Sequence, residues 1–408
     1  MSKWKEKYLH EIVDIRVSNV DKKIYSNKSL VKLCNYMDAY SNDYITSKIS
    51  FSTGSADKNE MLRFGLIPDD VIITKDSETP DDIAISAVVI EEIENLVCGY
   101  HLAILRPDKE QVDGRFLMFK LKDNDLKSYF GRAAKGSTRF GLTIGDIEKA
   151  PVTIPSLPVQ RKISTILSTC DSVIEKTQAA IAKYKAIKQG MLHDLFTRGI
   201  DLQTGKLRPK YEDAPEMYKE SKLGWIPKEW EEDRLGSKAV IEYGKSQKEV
   251  VSLNGTIPVY GTGGIMEYAT EFLFEGESIL IGRKGTIDKP IYITGKFWTV
   301  DTAYYLSSFV GNIRWLHYQL ECFGLKRLNE ATGVPSINRE QLYNINLSFP
   351  DRNEQNEIVK RLLAIDKKIQ TEQNYLEKLQ ELKSGLMGDL LSGKREVKIT
   401  DKEEVLHG

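Results

Sequence analysis

The stretch that decides the fold is residues 160–195, QRKISTILSTCDSVIEKTQAAIAKYKAIKQGMLHDL. Residues 355–390 repeat its pattern as QNEIVKRLLAIDKKIQTEQNYLEKLQELKSGLMGDL. The two segments align without a gap at a shift of 195 positions, with eleven identical residues among 36. Unrelated segments do not reach this similarity, so it indicates an internal duplication with one copy in each half of the chain.

Both copies carry apolar residues at alternating spacings of four and three, which is the seam of a coiled coil. Polar residues interrupt the seam at matching positions, including Lys188 and Lys383, and such positions can set helix register. Two independent amphipathic helices are the alternative, but they do not explain the shared interruptions. The residues predicted to pair the helices are Ile163, Leu167, Ile174, Ile181, Tyr184, Ile358, Leu362, Ile369, Leu376 and Leu379.

A glycine lies inside each helical pattern, at Gly190 and at Gly385. Met191 and Leu386 continue the seam beyond these glycines, so a simple helix cap fits poorly. We predict that each glycine marks a close approach of another backbone, either the paired helix or a docked partner helix. Gly190, Met191, Gly385 and Leu386 are therefore the candidate partner-docking residues.

The remaining sequence predicts globular domains with many strands. Residues 1–155 and 225–350 contain short apolar runs separated by Gly, Pro, Asn and Asp, as expected of strands and turns. The predicted fold is α+β, with helices at residues 156–196 and 351–392 paired as an antiparallel coiled coil about 55 Å long. A polar linker is predicted at residues 197–224, and a solvated tail at residues 393–408.

Composition excludes several classes of protein. The 58 basic and 59 acidic residues give a net charge of −1, so there is no bulk attraction to nucleic acid or to an anionic membrane. No apolar run reaches the length of about 18 residues that a membrane span needs, and a cytoplasmic location without a membrane partner is expected. The cysteines and histidines have no metal-ligand spacing, and the common nucleotide-binding and hydrolase motifs are absent. No catalytic residue, metal or cofactor is predicted on this chain.

Basic residues are nevertheless concentrated in glycine-bearing loops. The basic stretches are LKSYFGRAAKGSTRFGLTIG at 126–145, IGRKGT at 281–286 and FGLKRLNEATGVPSINR at 323–339, and YGTGG at 260–264 is a further loop of small residues. Small residues let a backbone approach a phosphate, while Arg and Lys bind phosphates or guanine edges. The candidate DNA contacts are Lys127, Arg132, Lys135, Ser137, Thr138, Arg139, Thr262, Arg283, Lys284, Thr286, Lys326, Arg327, Thr332 and Ser336.

The duplication also predicts the form of the target. Two similar domains related by an approximate two-fold axis and held apart by a helical rod suit two half-sites on one DNA duplex. A rod of about 55 Å covers about 16 base pairs, so we expect a bipartite site with an unread gap.

The sequence resembles the specificity subunit of Type I restriction-modification systems over nearly its whole length. The most specific matches are GKLRPKYEDAPEMYKESKLGWIPKEW at 205–230, the helix endings GMLHDL and GLMGDL, and IPVYGTGGI, ILIGRKGT and GKFWTVDTAYYL in the second domain. The first domain lacks the Gly-Trp-Ile-Pro entry and matches less closely.

The resemblance implies a non-catalytic subunit that binds double-stranded DNA and recruits two methyltransferase subunits. Those subunits would bind S-adenosylmethionine and methylate adenines in the half-sites, and ATP-dependent restriction subunits would join optionally. A coiled-coil scaffold or dimerisation protein that does not read DNA is the alternative, but it leaves the two globular domains unexplained. A solitary methyltransferase or a fused restriction enzyme would need motifs that this chain lacks.

Overall fold

The structure is a computed structural model that describes residues 4–329 and 331–399. The end of the predicted tail, residues 400–408, lies outside the described residues. Among those described, residues 4–177 and 375–399 form one compact unit, and residues 178–374 form the other. No helix in the described part of the chain is both long and apolar enough to cross a membrane.

The first unit is built around antiparallel strands. Its strands are β1 (Lys5–Tyr8), β2 (Val13–Val17), β3 (Ser29–Cys34), β4 (Tyr44–Ile45), β5 (Ser52–Ala56), β6 (Val71–Thr74), β7 (Asp76–Ser77), β8 (Ser86–Val89), β9 (Leu96–Cys98), β10 (Leu102–Pro107), β11 (Phe140–Gly141) and β12 (Pro151–Ile154). Its short helices are α1 (Tyr36–Ser41), α2 (Lys58–Phe64), α3 (Gly114–Leu121), α4 (Asn124–Ala133) and α5 (Ile144–Glu148), with 3-10 turns at Leu9–Glu11 and Pro80–Asp82.

The main sheet of the first unit has the strand order β2-β10-β6-β8-β4, and smaller sheets are β5-β3-β9, β1-β12 and β11-β7. Every residue of β6 is buried, because this strand lies inside the sheet and is covered on both faces. Helix α3 begins at an Asp113 cap, whose side chain accepts the Phe116 N–H, and it contributes Phe116 and Leu117 to the core.

Helix α6 spans Leu157–Thr197 and begins one residue later than predicted. It continues through Gly190 without a break. The second unit then adds strands β13 (Ile200–Asp201), β14 (Lys206–Leu207), β15 (Tyr218–Ser221), β16 (Gly224–Pro227), β17 (Glu231–Arg234), β18 (Ala239–Tyr243), β19 (Ile257–Gly261), β20 (Gly264–Ala269), β21 (Phe274–Glu275), β22 (Ser278–Gly282), β23 (Ile291–Ile293), β24 (Lys296–Thr299), β25 (Ala303–Phe309) and β26 (Asn346–Phe349).

The short helices of the second unit are α7 (Leu235–Lys238), α8 (Ile313–Phe323) and α9 (Arg339–Tyr343), with 3-10 turns at Pro215–Met217 and Leu325–Leu328. Its larger sheets have the orders β18-β25-β22-β23 and β20-β19-β24-β21, and its two-stranded sheets are β13-β14, β15-β16 and β17-β26. The arrangement β18-β25-β22 reproduces β2-β10-β6 of the first unit, and β17-β26 reproduces β1-β12. The duplication therefore extends from the helices into the sheets.

Helix α10 spans Arg352–Leu391 and starts at an Asp351 cap, whose carboxylate accepts the N–H groups of Asn353 and Glu354. The repeated glutamines have matching contacts at the two helix starts. Gln160 donates to the Pro155 carbonyl and accepts the Asp113 N–H, while Gln355 donates to the Pro350 carbonyl and accepts the Asn312 N–H. Each glutamine ties its long helix to the start of α3 or α8.

The long helices pair within each unit. In the first unit, Ile163 and Leu167 of α6 share a core with Leu390 of α10. In the second unit, Leu195 of α6 shares a core with Ile358 and Leu362 of α10. The start of one helix thus meets the end of the other, so the predicted antiparallel pairing is confirmed. All ten predicted pairing residues are buried or half-buried.

The segment predicted as a linker is more ordered than its composition suggested. Residues 200–207 and 218–227 each form a hairpin, and Ile200 is fully buried. Arg208 binds the carboxylate of Glu354 through two nitrogens, at 2.5 Å and 3.0 Å, and the Trp230 indole donates to the same carboxylate at 3.0 Å. Gly199 has φ 66°, and a Cβ there would lie 2.1 Å from Glu354 Oε1, so glycine is needed for the close approach. The tail also departs from the prediction, because Val397 and Ile399 pack against the core of the first unit.

Candidate nucleic-acid interface

A loop is joined to the end of an inner strand, β6 or β22, in the same way in both units. In the first unit, the N–H of Leu142 donates to the Lys75 carbonyl at 2.9 Å, and Lys75 N–H donates to the His101 carbonyl at 3.0 Å. In the second unit, the N–H of Ile337 donates to the Arg283 carbonyl at 3.0 Å, and Arg283 N–H donates to Thr302 at 2.8 Å. The two basic stretches singled out in the sequence therefore occupy equivalent positions, next to α5 and α9.

In the second unit, several predicted contact residues lie close together. Lys284 and Ser336 face each other in a backbone bridge, which holds the turn after β22 against the loop before α9. The hairpin that carries Thr262 is adjacent, since a Cβ on Gly285 would lie 3.5 Å from the Thr262 hydroxyl. Thr286 is half-buried in the same turn. The loop itself is held by Asn329, whose side-chain oxygen accepts the N–H groups of Ala331 and Ser336.

The aromatic ring of Tyr243 lies near two arginines of this cluster. The guanidinium carbon of Arg283 is 5.4 Å from the ring centroid, and that of Arg339 is 4.8 Å from it. Arg283 also donates to the Asp301 carbonyl, and Arg339 to the Ile241 carbonyl. In the described part of the chain, neither arginine forms an ion pair with a carboxylate. Their positive charge is thus held in place without being neutralised, which suits contact with an anionic partner.

The first unit has different side chains at the equivalent positions. Lys75 occupies the position of Arg283, but its ammonium lies 3.1 Å from Asp76 Oδ2, which also lies 2.6 Å from His101 Nδ1. Burial raises the pKa of Asp76, but hydrogen bonds from His101 and Lys75 outweigh burial and hold that pKa below its usual range. Ile144, which is exposed, stands where the second unit has Arg339.

The loop at residues 134–139 carries the exposed candidates of the first unit, Lys135, Ser137, Thr138 and Arg139. Paired backbone hydrogen bonds between Lys135 and Gly141 close this loop, at 3.1 Å and 3.0 Å. Gly136 has φ 153°, and a Cβ there would lie 1.9 Å from the Arg139 carbonyl oxygen. Glycine is therefore required for the turn that presents Ser137 to Arg139.

The structure places the other candidates apart from these loops. Lys127 and Arg132 are exposed on α4, and Lys127 lines a cavity with Asp43 and Lys383. Lys326 and Arg327 are exposed in the 3-10 turn at Leu325–Leu328, where the Arg327 guanidinium lies 4.8 Å from the Phe323 ring centroid. Thr332 is exposed in the loop held by Asn329.

Tyr243 and Lys75 were not among the predicted contacts. Arg339 lies within the stretch 323–339 but is not one of the predicted contacts. Tyr243 lies nearly 100 residues before the loop that brings Arg339 to it, so local sequence gives no signal of the pair. Aligning the strands of the two units would have found Lys75, because it follows β6 as Arg283 follows β22.

The glycine interpretation needs correction. Apart from the helix's own backbone, a Cβ on Gly190 or on Gly385 would have no atom of the described residues within 4 Å, so no other described segment approaches either glycine closely. Both glycines are exposed, while Met191 and Leu386 are half-buried against the cores of their units. The prediction of close approach by the paired helix is wrong, and docking of a partner helix at these glycines stays a prediction.

Comparison with known proteins identifies the family. The family described as "Type I restriction modification DNA specificity domain" matches this chain over residues 1–184 and 227–381. A putative type I restriction enzyme MjaX specificity subunit of Methanocaldococcus jannaschii is 24% identical over 372 residues, covering 84% of this chain and 82% of that protein. The MjaVIII specificity subunit of the same organism is 28% identical over 314 residues, covering 69% of this chain and 70% of that protein.

Solved structures share the fold. The S subunit of a Type I restriction-modification system from M. genitalium matches with a TM-score of 0.63 at 16% identity, covering 98% of this chain and 97% of that one. A chain from a structural study of complex assembly and conformational transition in the type I R-M system matches with a TM-score of 0.51 at 13% identity, covering 95% of this chain and 97% of that one. The match to the DNA specificity domain and to the specificity subunits of Methanocaldococcus jannaschii does not favour the scaffold alternative. The chain belongs to the Type I restriction-modification DNA specificity domain family and is a non-catalytic subunit for sequence-specific DNA recognition.

Proposed function

We propose that each unit reads one half of a bipartite site on double-stranded DNA through the loops joined to the ends of β6 and β22. The observation that carries this proposal is the repeated attachment of those loops: the backbone hydrogen bonds are equivalent, but the exposed side chains differ. Loops with equivalent backbone attachment but different side chains are suited to recognising two half-sites of different sequence. Helices α6 and α10, which both continue from one unit into the other, would set the gap between the half-sites.

The DNA-contacting residues proposed for the second unit are Arg283, Lys284, Thr286 and Ser336, with the Tyr243 ring packed against the Arg283 guanidinium. For the first unit we propose Lys135, Ser137, Thr138 and Arg139. Loop backbones and hydroxyl groups can contact phosphates, whereas an arginine fork can also read a guanine edge.

A gel-shift selection tests this proposal. The chain, alone and with its methyltransferase partners, is incubated with random duplexes, and the retained DNA is sequenced. We expect two sequence blocks separated by a fixed gap. Replacing Arg283 with alanine should weaken binding to the selected duplex by about 1–3 kcal/mol. Arg234→Ala, which removes an exposed arginine outside the cluster, is the matched control. Retention without any sequence preference, with or without partners, would refute the proposal.

We further propose that the helix segments at Gly190 and Gly385 dock two methyltransferase subunits, which would bind S-adenosylmethionine, and that restriction subunits join this assembly. The relatives matched here are named as subunits of restriction enzymes, which supports partners of this class. The open space beside both glycines, which occur at duplicated positions, supports two equivalent docking sites.

Replacing both glycines with alanine should separate stability from docking. Because each Cβ has open space, we expect the free chain to gain up to about 1 kcal/mol per site from improved helix propensity. If a partner backbone fills that space, each added methyl group should weaken docking by about 1–3 kcal/mol through overpacking. Thermal denaturation and size-exclusion binding measure the two effects.

Thr371→Ala is the matched control for the glycine variants. It replaces an exposed β-branched residue within α10 and so also raises helix propensity, but away from both glycines. The control should leave partner binding unchanged. Docking of the double glycine variant at the affinity of the unaltered chain would contradict the proposed docking sites.

A further inference from the structure

Each unit contains a cluster of polar residues where its globular part meets both long helices. The second junction cluster consists of Asp366, Lys188, Tyr318 and Glu321. The Tyr318 hydroxyl donates to Asp366 Oδ2 at 2.6 Å, and Lys188 Nζ lies 3.0 Å from Asp366 Oδ1 and 3.2 Å from Glu321. Asp366 belongs to α10, Lys188 to α6 and Tyr318 to α8, so three elements meet at one carboxylate.

The first junction cluster consists of Asp171, Lys383, Tyr44 and Asp43. The Tyr44 hydroxyl donates to Asp171 Oδ2 at 2.7 Å, and Lys383 pairs with Asp171. The Lys383 ammonium also lies 3.7 Å from Asp43. The two lysines and the two helix aspartates are identical pairs of the duplication, so polar residues that interrupt the seam in sequence form reciprocal ion pairs between the helices.

The tyrosines of the two clusters come from positions that are not equivalent. Counted from the caps Asp113 and Asn312, the sixth residue is Phe119 in the first unit and Tyr318 in the second. Both rings lie beside the cluster lysine, with Lys383 Nζ 5.7 Å from the Phe119 centroid and Lys188 Nζ 5.2 Å from the Tyr318 centroid. Phe119 has no hydroxyl, and Tyr44 on β4 supplies the hydrogen bond instead.

The second carboxylates of the two clusters also come from positions that are not equivalent. The ninth residue after the cap is Glu321 in the second unit but Lys122 in the first, which reverses the charge beside the cluster lysine. Asp43 pairs with both Lys122 and Lys383, and so restores a carboxylate at that place. Both clusters thus contain the same contacts around the duplicated lysine and aspartate, although the tyrosine and the second carboxylate come from different positions, which is not expected of incidental surface contacts.

The two kinds of contact at the junction constrain the unit differently. Apolar packing along the seam is non-directional, so it favours contact between the elements but fixes their rotation only weakly. A hydrogen bond from a hydroxyl to a carboxylate has a narrow range of angle and distance. Burial raises the pKa of Tyr44 and of Tyr318 well above the usual range, so both hydroxyls stay protonated and able to donate.

We propose that Tyr44 and Tyr318 are positioning residues, which fix the rotation of each DNA-reading part on its helices and thereby restrict the gap allowed between the half-sites. The inference rests on the proposed bipartite function. Neither tyrosine needs to touch DNA, because each acts through Asp171 or Asp366 on the orientation of the loops after β6 and β22.

The test uses the full chain assembled with its methyltransferase partners. Duplexes carry both selected half-sites at the preferred gap, or at gaps shorter or longer by one or two base pairs. Gap discrimination is the ratio of Kd at a wrong gap to Kd at the preferred gap. For Tyr318→Phe and for Tyr44→Phe, we expect this ratio to fall about tenfold, the factor for one lost hydrogen bond to a charged group. Binding to isolated half-sites should stay unchanged.

Tyr218→Phe is the matched control, because its hydroxyl donates to the Pro209 carbonyl outside both clusters and its loss should leave gap discrimination intact. Asp366→Asn is a second variant that should also relax the gap. Variants that denature at the same temperature as the unaltered chain but keep its full gap discrimination would overturn the positioning role. An unaltered complex that binds equally at every gap would refute the bipartite function itself, so the two failures are distinguishable.

Discussion

Replacing Arg208 with alanine is expected to destabilise the second unit by about 3–5 kcal/mol, because it leaves the Glu354 carboxylate buried without its cationic partner. The Glu354 side chain is 2% exposed and that of Arg208 is 7% exposed, so water cannot take over the role of the guanidinium. A loss of this size is a large fraction of the stability of an ordinary domain. Urea denaturation followed by tryptophan fluorescence measures it, since Trp230 donates to the same carboxylate.

The control is Lys360→Ala in the same helix as Glu354. The Lys360 side chain is 77% exposed and pairs with Glu357 one turn away, so its removal should cost no more than about 1 kcal/mol. Arg208→Lys, which keeps a positive charge beside Glu354 but loses the contact through two nitrogens, should destabilise the second unit less than Arg208→Ala does. If Arg208→Ala lowers the free energy of unfolding by less than Lys360→Ala does, the buried pair does not stabilise the second unit.

The helices could be predicted from the sequence because their information is local. The spacing of Ile163, Leu167 and Ile174, and of their counterparts in the second copy, repeats with the period of the coiled coil. The same period predicted pairing between the two copies. Helix ends were predicted within one residue, since proline precedes each start and the apolar pattern fades at each end.

Contacts between residues distant in sequence were not predictable. Lys188 and Lys383 were interpreted as seam interruptions, but their partners Asp366 and Asp171 are known only once the antiparallel register is known. The segment containing Arg208 was interpreted as a linker because its composition is polar, and composition does not reveal that Glu354 lies opposite. The glycine interpretation was wrong for a related reason: an unusual residue in a helix signals a constraint but not which molecule imposes it.

The candidate DNA surface was predicted only in part. Basic residues in glycine-bearing loops identified the turn at Arg283 and Lys284 and the loop ending at Arg139, both of which are anchored at equivalent strand ends. Local sequence does not indicate that Tyr243 lies near two arginines, because strands distant in the chain bring the three side chains together. The sequence also did not show that Lys127 lies on α4 and not in the loop that follows this helix.

Exchanging residues 1–155 for the corresponding domain of another family member is expected to replace one half of the recognised DNA sequence completely. The loop at 134–139 and the surface around Lys75 move with the exchanged segment. The turn at Arg283, together with Tyr243, stays behind, and so do helices α6 and α10. The second half-site and the gap should therefore be retained.

The most direct measurement is sequencing of methylated adenines in the genome of a host that carries the methyltransferase subunits with the unaltered or the exchanged chain. A host without the chain is the control. The account predicts one bipartite motif for each chain, with one half altered by the exchange and the other half and the gap unchanged. Alteration of both halves by this one exchange, or a methylation pattern that does not depend on the chain, would contradict it.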